Sequence, residues 1–164
     1  GTVVRPKEEW HLLDPDVLFW LIQTTPEHEF FKTLSTVRRV LEPELAYIAA
    51  STANEEDIER IKQAYEGMEK ATTVEEFIEP DIQFHLAIAK ATHNDLLAYM
   101  SKMLVLPLQQ SIQVTSLRPN LQGHSLPRHK AILTAIENKD PLSARHASLV
   151  QLDDTKMAYD LIKK

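Results

Sequence analysis

Asp81 and His85 stand one helical turn apart, among Ile82, Phe84 and Ile88. At about 100° per residue they fall in line with Ile88 and point where a core should be. A carboxylate and an imidazole at i and i+4 on one inward face have the geometry of two ligands of one divalent metal. The same spacing also fits a buried Asp–His pair that satisfies itself by hydrogen bonding. His129 shares a stripe with Ile132, Leu133 and Ile136, so a second imidazole faces the interior, either as a satisfied core histidine or as a third ligand. Arg38 lies within about 40° of the line through Leu34, Leu41 and Leu45, whereas Arg39 points away. A buried guanidinium requires an acid: Glu42 one turn on, Asp81, or the carboxylate of a ligand. An arginine and a metal in one desolvated cavity both supply positive charge, which suits an anionic small molecule.

The elements that must position these groups read as an all-helical array of about seven helices. The first follows Asp14-Pro15, an N-cap with proline at N1, and carries Val17, Leu18, Trp20 and Leu21. The second follows Thr25-Pro26 and holds Leu34, Val37, Leu41, Leu45 and Ile48 in one stripe. The third spans Glu55 to Ala71. The fourth is expected to start at Pro80 and to end near His93-Asn94. The fifth is expected to run from Asp95 towards Thr115 with a kink at Pro107. A loop containing Pro119, Gly123 and Pro127 should precede the sixth, and the last should start near Pro141. Gly1 to Pro6 reads as the tail of a short strand. No later segment offers that strand a partner, so the partner is expected upstream.

Composition narrows the function. Of the 164 residues three are glycine and none is cysteine. That leaves little room for a phosphate-cradling loop and excludes disulfides, thiolate zinc sites and a cysteine nucleophile. Nothing approaches the roughly 18 apolar residues of a membrane span, and the start lacks a signal-peptide pattern, so a cytoplasmic protein without membrane contact is expected. A net charge of -6 opposes attraction to phosphate backbones. His11, His28 and His124 fall in loops or near helix starts and read as solvated. His93 and Asn94 mark a helix end, where capping and a polar lining role are both open.

Four motifs together resemble the effector-binding (FCD) half of FadR-like regulators of the GntR family. Gly1-Thr-Val-Val-Arg-Pro6 with Trp10-His-Leu-Leu-Asp-Pro-Asp-Val-Leu18 is similar to the junction between wing and effector domain. Leu34-Ser-Thr-Val-Arg38-Arg-Val-Leu-Glu42-Pro43 resembles the second-helix signature. Asp81-Ile-Gln-Phe-His85 looks like the metal and ligand motif. Asn94 and the run from His129 to Ile136 continue the pattern. The resemblance implies an antiparallel bundle that forms a homodimer and encloses a cavity for a small carboxylate effector. Residues 1–9 would be the end of a winged-helix wing and the linker, and 10–164 the effector-binding and dimerisation domain. Operator DNA would be met only through an N-terminal domain outside this sequence. It also implies ligand-binding roles for Arg38, Asp81, His85, Asn94 and His129, with zinc or nickel held by Asp81, His85 and His129. The linker and first helix look most like the galactonate-operon repressor group, which implies a sugar acid such as an aldonate. The chain departs from the pattern at Gln151, which stands where metal-binding members usually place a third histidine.

Three functions therefore compete. A sensor pairs Arg38 with an effector carboxylate beside a metal. A metal-dependent hydrolase would use the same three ligands with open positions, but offers no separate general base. A ligand-free dimerisation module would pair Arg38 with Glu42 and Asp81 with His85.

Overall fold

A computed structural model describes residues 3–105, 107–109 and 121–162. Among them the seven expected helices are present: α1 (Pro15–Thr24), α2 (Glu27–Thr52), α3 (Glu55–Lys70), α4 (Val74–Lys90), α5 (Asp95–Met103), α6 (Leu121–Glu137) and α7 (Pro141–Ile162). Their starts follow local chemistry. Asp14 accepts from the amides of Asp16 and Val17 ahead of Pro15. Asn54 and Asp57 form a reciprocal capping box on α3. Thr73 accepts from Glu76 N, and Asp140 Oδ1 accepts from Ser143 N at 3.1 Å. Each side-chain oxygen satisfies a backbone donor that the helix itself leaves unpaired.

The helices form an antiparallel bundle in which α2 packs chiefly on α7, α3 on α4, and α6 on both α7 and α3. Leu45, Ile61, Met68, Phe84, Leu133 and Ile136 meet in one core. Small residues on α2, Ala46, Ala49 and Ala50, bring its backbone close to its neighbours. Gly67 does the same between α3 and α4, since an added Cβ would stand 3.0 Å from Pro80 Cβ. By contrast α1 has no buried residue and leaves Phe19 and Trp20 exposed.

Proline misleads a reading by periodicity in three places. The fourth helix starts at Val74, six residues before Pro80. Burial of Phe77 and the Thr73 cap outweigh the one backbone bond that Pro80 removes. Gly123 and Pro127 lie inside α6 rather than in a loop. Both are exposed, on a side where water replaces the lost bond. The fifth helix ends at Met103, with Leu104 at its C-cap donating to Ser101 O, and residues 105 and 107–109 are helical again, so the break falls at Leu104, three residues before Pro107. The expected stretch to Thr115 and the loop at Pro119 lie outside the described residues. Residues 3–6 form no strand, and Lys7–Glu9 make one 3-10 turn. None of the described helices is long and apolar enough to cross a membrane.

The α3 cap offers a direct check on this local reading. Asn54→Ala should lower stability by about 1 kcal/mol, read as a lower urea midpoint with an unchanged slope.

Candidate metal and effector site

Helices α2, α4 and α6 bring Arg38, Glu42, Asp81, His85 and His129 together in the interior. Arg38, Asp81, His85 and His129 are all buried, and Glu42 is 13% exposed. Asp81 Oδ1 lies 2.9 Å from His129 Nε2, and Asp81 Oδ2 lies 4.0 Å from His85 Nε2. Ligand atoms of these three residues all fall within 4.8 Å of one another. Phe84 packs edge-on against both imidazoles, at ring distances of 5.9 Å and 5.1 Å, and restricts their rotation.

The outer nitrogens of the two imidazoles fix what the inner ones present. His129 Nδ1 sits 2.9 Å from the Ser125 carbonyl oxygen, an atom that only accepts, so Nδ1 carries the proton and donates. His85 Nδ1 faces Glu42 Oε2 at 3.4 Å. Both Nε2 atoms therefore turn towards Asp81, and neither has a partner of hydrogen-bond geometry. The 2.9 Å approach of His129 to Asp81 is thus a charge contact lacking hydrogen-bond alignment. Two inward imidazole nitrogens beside one carboxylate, each anchored from behind by an acceptor, match the donor set of a divalent transition metal. The mutual Asp81–His85 hydrogen bond that would leave no site is not formed.

Electrostatics give the same partition. Burial disfavours charge on every member. On Arg38 the Glu42 carboxylate outweighs burial and raises its pKa. Burial would raise Glu42, but Arg38 and His85 hold it below the usual carboxylate range. Burial would likewise raise Asp81, but His129, His85 and Arg38 hold it low. Burial depresses His85 beyond what Glu42 and Asp81 restore, whereas Asp81 outweighs burial on His129 and raises it. Without metal these directions favour two ion pairs, Arg38–Glu42 and Asp81–His129, and the uncharged form of His85.

Among the described residues Arg38 hydrogen-bonds to Glu42, through Nε at 2.5 Å and Nη2 at 3.2 Å, the internal pair that the i, i+4 spacing allows. Asn94 is exposed, and its Oδ1 accepts from the amides of Leu96 and Leu97 at the start of α5. Its side chain caps a helix and does not join the cluster. His93 adopts a left-handed φ of 51° and sets Nε2 2.8 Å from Asp57 Oδ2. His11, His28 and His124 are exposed, as expected. Gln151 is buried, and its Oε1 has no partner. Two participants were missed: Ser125, hidden because α6 was started too late, and Ser148, which lines a small cavity with Glu42, His85 and Ile132. That cavity has about 10 Å³ of free room, roughly one water molecule.

An all-helical bundle built around a buried carboxylate–imidazole cluster defines a helical binding domain. The chain matches the FCD domain family over residues 33–154 and belongs to it, as the effector domain of FadR-like GntR regulators. It is 30% identical over 155 residues to the galactonate operon transcriptional repressor of Escherichia coli, covering 93% of this chain and 67% of that protein. It is 37% identical over 138 residues to the Uxu operon transcriptional regulator of the same organism, covering 75% of this chain and 51% of that one. Among solved structures, Streptococcus agalactiae GntR superposes with a TM-score of 0.72 at 21% identity, over 88% of this chain and 65% of that chain. These relatives are transcription regulators, a family without enzymatic activity, so the hydrolase reading is set aside.

The two histidines oppose each other around neutrality. His129, raised on folding, contributes stability that is complete below its unfolded value of about 6.5 and is lost as pH rises through its folded value. His85, lowered on folding, costs stability as pH falls below that same unfolded value. In metal-stripped protein His129→Gln should therefore be more destabilising at about pH 5.5 than at about pH 8, and His85→Gln the reverse. Urea midpoints at the two pH values check this, and equal penalties at both would contradict the assigned charge states.

Proposed function

We propose that this chain is the sensor half of a transcription regulator, in which residues 10–164 bind a small carboxylate, such as a sugar acid of the aldonate type, beside a divalent metal. The observation that carries this reading is the pair of inward nitrogens, His85 Nε2 and His129 Nε2, that flank the ionised Asp81 without an aligned hydrogen bond. A bound zinc or nickel ion would supply positive charge to the oxygens of the effector. The three side chains hold it, Ser125 and Glu42 orient the imidazoles, and Phe84 excludes water from one side.

Arg38 recognises the effector carboxylate by exchanging partners. Its guanidinium fork matches a carboxylate in two-point geometry, and Glu42 occupies two of its donors in this form. Displaced, Glu42 retains a second neighbour in His85, 3.4 Å away, so its charge is not stranded in the interior. The name of one relative, a galactonate operon repressor, supports sugar-acid control. Residues 1–9 are the end of the wing and the linker, and operator contact belongs to a winged-helix domain outside this sequence, because a chain of net charge -6 is poorly suited to grip DNA. Homodimerisation accords with the family resemblance and with the apolar side chains exposed on α1 and α5, Phe19, Trp20, Leu96 and Tyr99. Effector binding changes operator affinity only if it favours one arrangement of that dimer over another.

Thermal unfolding of the metal-stripped chain tests the proposal. A divalent metal at about 100 times its dissociation constant should stabilise by about 2.7 kcal/mol, a shift of about 5–10 °C for a domain of this size. An aldonate should add a further shift that depends on the metal. Asp81→Asn should abolish the metal shift, and Arg38→Lys should weaken the aldonate shift while leaving the metal shift in place. No shift with zinc, nickel or manganese, alone or with aldonates, would return the cluster to a purely structural role.

A further inference from the structure

Gln151 lies on α7 and is 7% exposed. Its side chain has one orientation consistent with its neighbour. The Thr155 hydroxyl donates to the Gln151 carbonyl at 3.0 Å, which leaves the Thr155 oxygen to accept from Gln151 Nε2 at 3.3 Å. The amide thus uses its donor on Thr155, and Oε1 is the atom left over. That oxygen is buried and has no hydrogen-bond partner among the described residues.

Two cross-links fix where this acceptor lies. Helices α2 and α7 run antiparallel, joined by Arg39–Asp153 at one level and by Glu44–Arg145 at 2.6 Å at another. Gln151 and Ser148 fall between these rungs, at the level of the Arg38–Glu42 turn of α2. Ser148, one turn before Gln151 on the same face, lines the cavity that Glu42 and His85 also line. An unanswered acceptor is therefore buried in the layer that holds the arginine.

We propose that Gln151 is a specificity residue, whose Oε1 accepts a hydrogen bond from a hydroxyl of the effector, so that the site takes hydroxylated monocarboxylates in preference to dicarboxylates or unsubstituted acids. This rests on the sensor reading above. A hydroxyl is the neutral donor that answers an amide oxygen without opposing Arg38, as an ammonium group would. A second carboxylate would meet the amide oxygen as acceptor against acceptor. A site built to bond a hydroxyl rejects the analogue that lacks it, because a buried polar group is then left unpaired.

The test is calorimetric titration of the metal-loaded chain with galactonate and with the series of its monodeoxy analogues, in the natural sequence and in Gln151→Leu and Gln151→Met. In the natural sequence one analogue should bind about tenfold more weakly than galactonate, the worth of one neutral hydrogen bond. In the variants galactonate itself should weaken by about that factor, and the analogue should then bind as well as galactonate. The two replacements differ in shape, and circular dichroism identifies a folded one. Unchanged galactonate affinity in a folded variant, or the same penalty for every analogue in variant and natural sequence, would overturn the role of Gln151 and leave the sensor reading standing. No galactonate binding to the natural sequence would overturn the sugar-acid reading and this inference with it.

Discussion

Removing five ionisable side chains from water is the constraint around which the interior of this domain is arranged. Each ion moved into a low-dielectric core costs several kcal/mol unless it is paired. Arg38, Glu42, Asp81 and His129 meet that cost in two opposite-charge pairs, and His85 avoids it by remaining neutral. The pairs come from three helices, Arg38–Glu42 within α2 and Asp81–His129 between α4 and α6. The polar cluster therefore specifies how α4 and α6 meet, in addition to what the apolar core favours. Phe84, with 0% of its surface exposed, serves both purposes, since it belongs to the core and restrains both rings.

A structural cluster and a binding cluster differ in how completely they are satisfied. In a purely structural one every buried donor and acceptor would have a partner. Here the outer nitrogen of His129 is anchored by Ser125 and that of His85 faces Glu42, while neither inner nitrogen nor the Gln151 oxygen makes an aligned hydrogen bond. For both imidazoles the nitrogen held from behind is the one turned away from Asp81, and the nitrogen without a hydrogen bond is the one turned towards it.

Much of this was legible in the sequence, because helix periodicity is a strong signal and a polar residue on an apolar stripe is conspicuous. Asp81, His85, His129 and Arg38 were found by that rule and Gln151 through the family resemblance, and all are buried. The caps at Asp14 and Asn94 and the helix start at Pro141 follow from equally local chemistry. What failed was also local: proline was read as a boundary at Pro80 and Pro127, where burial of Phe77 and anchoring of His129 by Ser125 continue the helix through it. Starting α6 after Pro127 rather than at Leu121 concealed Ser125. Asn94 could not be separated from the site by motif alone, because a capping asparagine and a ligating one look the same until the neighbouring amides are in place. The second contact of Glu42, with His85, joins α2 to α4, and no spacing within one helix reports a contact between two.

The same geometry bears on how a binding event could be transmitted. With room for about one water, the cavity cannot admit a six-carbon acid unless helices or side chains around it move. Arg38 and Glu42 are on α2, which is also the helix most extensively packed against α7. Displacing Glu42 from Arg38 changes the cluster on the inward face of α2. Arg39 on the next position and Glu44 one turn further hold the outer face of the same helix to Asp153 and Arg145. An expansion between α2 and α4 is therefore resisted on one side by core apolar packing and on the other by cross-links to α7. The cross-links couple α2 to α7, so a displacement of α2 against α4 would carry α7 with it. Such a motion would carry the N-terminal end of α2, and with it the thinly packed α1, whose exposed Phe19 and Trp20 are held by little of the domain's own core.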